Sequence, residues 1–97
     1  MEQDPLTWLQ SWLTNRADGT WEHRHGVRIE SLDNPGWSVS IDLEETPLRS
    51  KAFELIQVAR GDSDWLTCRV RAGRFEGFGD PTKLRVIIDT FRAWATS

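Results

Sequence analysis

Apolar residues recur at helical spacing at both ends of the chain and at every second position between them. Near the start, Leu6, Leu9 and Leu13 share one helical face, and Trp8 and Trp12 widen it. Asp4 is placed to cap this helix, Pro5 fits its first turn, and Asp18-Gly19 supplies the stop. The far end repeats the grammar. Asp80 caps, Pro81 opens, and Leu84, Ile87, Ile88, Phe91, Trp94 and Ala95 form one apolar stripe. That stripe is expected to lie flat on a sheet.

Between the helices the period becomes two. Val27 and Ile29 alternate with Arg28 and Glu30, a turn follows at Asp33-Asn34-Pro35-Gly36, and Trp37, Val39, Ile41 and Leu43 then alternate with Ser38, Ser40 and Asp42. After a loop around Thr46-Pro47, Phe53 to Arg60 and Trp65 to Arg71 read as a hairpin around Gly61-Asp62-Ser63-Asp64. Arg74 to Phe78 adds a short fifth strand after Ala72-Gly73. The connections are too short for parallel crossovers. The expected fold is α+β: an antiparallel meander sheet of four or five strands, flanked by an N-terminal and a C-terminal helix packed on one face. The other face, with Arg28, Glu30, Ser38, Ser40, Asp42, Arg69 and Arg71 or their neighbours, is expected to be polar and available.

Ninety-seven residues make one domain, expected over residues 1–97. Six tryptophans and no tyrosine make indole rings the main large side chains, expected mostly in the core. Trp21 and Trp37 are candidates to pack against each other across two strands. The single cysteine, Cys68, rules out an internal disulfide and reads as a small buried hydrophobe. One free thiol suits a reducing cytoplasm. The start Met1-Glu2-Gln3-Asp4-Pro5 lacks the apolar stretch of a signal peptide, and no run is long enough to span a membrane. A soluble cytoplasmic protein is therefore expected.

Net charge is −3, and it is unevenly placed. Glu30, Asp33, Asp42, Glu44 and Glu45 fall in one stretch without a lysine or arginine, leaving the rest of the chain slightly positive. Such a segment repels phosphate, which argues against nucleic acid, and attracts a basic protein partner.

Catalytic patterns are sparse. His23 and His25, on one side of a strand start, could hold zinc with Glu22 or Asp42, but no third defined ligand or His-Glu-x-x-His is present. There is no Gly-x-Ser-x-Gly and no histidine near Cys68 in sequence. Gly73, Gly77 and Gly79 precede a helix, yet Asp80 stands where an anion would bind and no lysine follows in Walker spacing. Glu44 and Glu45 are adjacent on a strand end and point apart. No cofactor and no catalytic residue is expected; the competing reading is a small metal- or ligand-binding enzyme using His23 and His25.

The run Trp21-Glu22-His23-Arg24-His25-Gly26-Val27-Arg28-Ile29-Glu30, then Leu32-Asp33-Asn34-Pro35-Gly36-Trp37 and Ile41-Asp42-Leu43, resembles the immunity protein 53 family of bacterial polymorphic-toxin systems. That pattern has a short Trp-Leu helix, a Trp-Glu-His element, an aromatic-Gly pair, Leu-Asp-Asn-Pro-Gly-Trp and an Asp-Leu strand end. The likeness extends more loosely through Asp64-Trp65, Phe75-Glu76-Gly77 and the last helix. His25 departs from it, standing where tyrosine is expected. The resemblance implies a cytoplasmic protein that binds and neutralises a cognate toxin. By analogy with other acidic immunity proteins, that toxin would be a basic nuclease. Glu22, His23, Asp33, Asn34, Asp42, Glu44 and Glu45 are the expected contact residues.

Overall fold

Asp4 starts the first helix as its position demands: one carboxylate oxygen accepts the Thr7 amide at 2.9 Å, the other the Thr7 hydroxyl at 2.7 Å. The computed structural model describes residues 3–97; Met1 and Glu2, part of the acidic start, lie outside the described residues. Helix α1 spans Pro5–Arg16. The chain then turns at once into a single helical turn, α2 (Trp21–Arg24). Asp18 accepts the amides of Thr20 and Trp21, while the Glu22 carboxylate reaches back to the amides of Asp18 and Gly19. This reciprocal capping replaces the strand start expected around His23 and His25.

Five strands follow: β1 (Val27–Leu32), β2 (Gly36–Asp42), β3 (Ile56–Gly61), β4 (Asp64–Arg71) and β5 (Arg74–Gly79). The β1–β2 turn contains a cis Asn34–Pro35 peptide. Between β4 and β5, Ala72 and Gly73 both take positive φ, +55° and +76°, the backbone of a tight hairpin turn matched to strand twist. All pairings are antiparallel, and the strand order is β1-β2-β5-β4-β3.

The expected α+β sheet is therefore present with all five strands, in an order a plain meander does not give. A β1–β2 hairpin and a β3–β4–β5 meander are joined by pairing β2 to β5. The reason lies in the segment from Leu43 to Leu55. It leaves the sheet, buries Leu48, packs Phe53 against Phe75 and Trp94, and enters again at the far edge. Phe53 thus serves the core from a loop, and β3 begins only at Ile56.

Helix α3 (Leu84–Ala95) lies across one face of the sheet. It begins later than Asp80-Pro81 suggested, because the Asp80 carboxylate is bound elsewhere and Lys83 takes the capping position. Gly77 and Gly79 let the helix come close. A Cβ at Gly77 would collide with Ile87, and one at Gly79 would lie 2.6 Å from Lys83 Cβ. Ile87, Ile88 and Phe91 are buried against Val39, Ile41, Cys68 and Phe75. Helix α1 packs mainly on α3 and reaches the same core through Leu9. Phe91 is the hub, with ring centroids of Trp12, Phe75 and Trp8 at 5.3, 5.1 and 5.8 Å. Trp21 meets Trp12 at 5.9 Å and not Trp37, since α2 and Trp37 sit at opposite ends of β2.

Truncating this hub should show its weight. Phe91→Ala is expected to cost about 3–5 kcal/mol in urea unfolding, as a fully buried aromatic joining both helices to the sheet.

Candidate partner-binding surface

With α3 on one side of the sheet, alternation sends every second side chain of each strand to the other side, which no described helix covers. Cross-strand register arranges that open face in rows. At one pole, Leu32 and Gly36 line up with Trp65 and Ala59. The next row carries Glu30, Ser38, Phe78, Thr67 and Gln57. Beyond it run Arg28, Ser40, Glu76 and Arg69, and at the opposite pole Asp42, Arg74 and Arg71. The face is thus aromatic at one end and charged at the other. Arg69 joins the halves: its guanidinium lies 5.4 Å over the Phe78 ring and its Nε donates to Glu76 at 2.9 Å.

The seven residues singled out in the sequence fall at two ends of this sheet. Asp33 and Asn34 are exposed in the β1–β2 turn, beside Gly36 and the aromatic pole. Glu22, His23, Asp42, Glu44 and Glu45 gather at the other end of β2, about 20 Å away for a seven-residue strand. They are brought together because the Trp21 indole donates to the Glu44 carbonyl at 2.8 Å, docking α2 there. Three of the five, Asp42, Glu22 and Glu44, are already engaged. The Asp42 side chain is nearly buried, accepting the Gly26 amide at 2.8 Å and Arg74 Nε at 3.0 Å, so it ties the β1 entry to β2 and β5. It is not the free acid on a polar face that alternation alone gives. Glu22 caps its own turn while staying exposed. Glu44 is half-exposed and paired with Arg49 at 2.7 Å, and Glu45 is exposed with φ +60°.

Sequence reading passed over Trp65 and Phe78. The signal was parity: Leu66, Cys68 and Val70 set the core side of β4, which sends Trp65 outward. Its position is fixed by the buried Asp80, which accepts the Trp65 amide at 2.9 Å, the Thr82 amide at 2.8 Å and the Lys83 ammonium at 2.8 Å. Lys83 also reaches Asp64 at 2.9 Å. Lys83 and then Thr82 hold the Asp80 carboxyl far below the usual carboxylate range against the opposing effect of burial. Asp80, with Asp64, raises the Lys83 ammonium in turn. Gly36 makes room for the indole, since a Cβ there would lie 3.1 Å from Trp65 Cζ2 and 2.5 Å from the Gly79 carbonyl.

The histidines do not form the expected pair. His23 is exposed on α2, whereas His25 caps the turn with its ring 5.6 Å from Trp21. Among the described residues, no group of three or more His, Cys, Asp or Glu is placed to hold a metal ion. Burial pushes the Cys68 thiol up to about 11, with a Thr90 hydrogen bond pulling the other way, so it stays protonated near neutrality. A surface groove of about 620 Å³ runs between Phe53–Ile56 and the end of α3, and none of the seven expected contact residues lines it. No described helix is long and apolar enough to cross a membrane.

Fold and surface together define a small α+β domain that holds its helices on one face of an antiparallel sheet and leaves the other open. The profile of the Immunity protein 53 family matches residues 6–96, nearly the whole chain, and the chain belongs to that family. Searches of curated proteins and of solved structures returned no match.

Two measurements check the roles assigned to the carboxylates. Asp42→Ala is expected to lower stability by about 1–3 kcal/mol, because the Gly26 amide loses its acceptor and Arg74 its partner. Asp80→Asn should destabilise the protein at neutral pH. Because the folded pKa of Asp80 lies below its ordinary 3.8, the stability it supplies is present above that value and lost as pH falls further. The stability gap between Asp80→Asn and the unmodified protein should therefore begin to narrow only below about pH 4 and shrink steadily as the pH falls further.

Proposed function

We propose that this chain is an immunity protein that binds a cognate toxin domain one to one and keeps it inactive in the cytoplasm of the producing cell. Membership of the Immunity protein 53 family carries the reading. The chemistry of the surface fits it. Aromatic and arginine side chains share an uncovered sheet face, a composition suited to protein contact. The role is inhibition by occupancy, with no catalytic step.

The pole formed by α2 and the end of β2 supplies the charge. Glu44, Glu45 and Glu22 lie there with His23, and they would draw in a basic partner such as a nuclease toxin. Asp33 and Asn34 add polar groups at the opposite end. Asp42 contributes by holding the pole together, since its carboxylate is already satisfied.

The test uses the toxin domain encoded beside this gene, inactivated at its own catalytic site for binding and left active for growth assays. Co-expression should restore growth, and light scattering of the mixture should give a one-to-one complex. Replacing both Glu44 and Glu45 by lysine should slow association about tenfold at low salt and leave folding unchanged, as expected of charges at the rim of an interface. Failure of the unmodified chain to bind or to protect would refute the proposal.

A further inference from the structure

The open sheet face carries a Trp and a Phe on central strands where folding alone favours small or polar groups. Ser38, Ser40 and Thr67 show what that face otherwise holds. Trp65 and Phe78 lie on one diagonal of the β4–β5 ladder and on the same face of the sheet. Gly36 is flat beneath the indole, and a side chain there would displace it. Trp21, Trp37 and Trp94 each donate their indole N–H to a backbone carbonyl; those of Trp8, Trp12 and Trp65 meet no acceptor among the described residues. Around this patch the charge is arginine-led. Glu76 is shared by Arg69 at 2.9 Å and Arg71 at 3.7 Å, Asp42 is taken by Arg74, and the Arg71 side chain is 67% exposed. The face carries four arginines to three carboxylates, although the chain as a whole is at −3.

Resting on the immunity reading above, we infer that this face, centred on Trp65 and Phe78, is where the toxin docks, and that the toxin segment seated there carries an apolar side chain for the indole and a carboxylate for Arg71. The indole is a large, half-buried anchor, and Arg69 already lies over the Phe78 ring while donating to Glu76. Little side-chain freedom remains to be lost on binding. Arg71 is the guanidinium with spare donors, because its one carboxylate is nearer to Arg69. Charge argues for this occupant over two others. A second copy of the chain would set one net-positive face against another. Nucleic acid would meet the exposed Glu30 on this face and the acidic pole of Glu44 and Glu45 at its margin. The acidic pole near Glu44 and Glu45 lies at the margin of the same face, steering the approach while the aromatic pole holds the complex.

Titration calorimetry with the inactivated toxin domain separates the possibilities. Trp65→Ser should weaken binding about thirtyfold or more, the loss typical of a central anchor. Arg71→Glu, at a highly exposed side chain, should weaken it about tenfold. Leu6→Ser, on the exposed side of α1, should bind as the unmodified chain does. Circular dichroism establishes that each variant is folded, and Arg71→Glu keeps the test decisive should Trp65→Ser prove unstable. If the unmodified chain binds and folded Arg71→Glu and Trp65→Ser stay within about twofold of it, the docking face is elsewhere while the immunity reading stands. If the unmodified chain fails to bind, the immunity reading falls first. A dimer that Arg71→Glu dissolves, or duplex DNA binding that Trp65→Ser abolishes, would assign the face to a different occupant and overturn the inference.

Discussion

The architecture depends on how closely α3 approaches β5. Gly77 and Gly79 present bare backbone to Ile87 and Lys83, so the helix settles directly on the central strand of the sheet. That approach buries Ile87, Ile88 and Phe91 in one layer and gives α1 a helix, rather than a sheet, to pack on. Phe91 then collects the rings of both helices and of Phe75 in edge and tilted contacts, which suit aromatic quadrupoles better than stacked ones. Because so much apolar area is gathered on one side, the domain closes without using the other. An uncovered face is a direct consequence of that economy.

The buried carboxylates show why acid content alone misdescribes this surface. Asp80 and Asp42 are counted among the acids of a chain at −3, yet each is enclosed and matched by donors. Asp80 clasps the start of β4 to the approach of α3 through Trp65, Thr82 and Lys83. Asp42 clasps the entry of β1 to β5 through Gly26 and Arg74. A carboxylate in such a place is retained only because several donors replace its water. What remains outside is an acidic pole and an arginine-led sheet face, whose charges differ in sign.

Much of the fold was legible in the chain. The period of two from Val27 to Leu43 and the stripe from Leu84 to Ala95 identified strands and helix through the geometry of each element alone. Capping at Asp4 was legible for the same reason, since its partner Thr7 is three residues away. The pairing of β2 with β5 was not. It rests on Leu48 and Phe53 packing from a loop with no periodicity to announce it. Nor was the true start of α3, because Asp80 has two possible uses and its contact with the Trp65 amide spans 15 residues.

The candidate surface divides along the same line. The run from Trp21 to Trp37, with Ile41-Asp42-Leu43, carried the likeness to the family whose profile matches residues 6–96. It also determined that one sheet face would be polar, since alternation is a local property of a strand. Only the tertiary structure decided that Asp42 is spent inside, that Trp21 docks α2 on Glu44, and that Trp65 lies over Gly36 beside Phe78. Each of those facts joins residues distant in the chain. No pattern of neighbours encodes such a meeting; it follows from which strands pair, and that choice is made by the core as a whole.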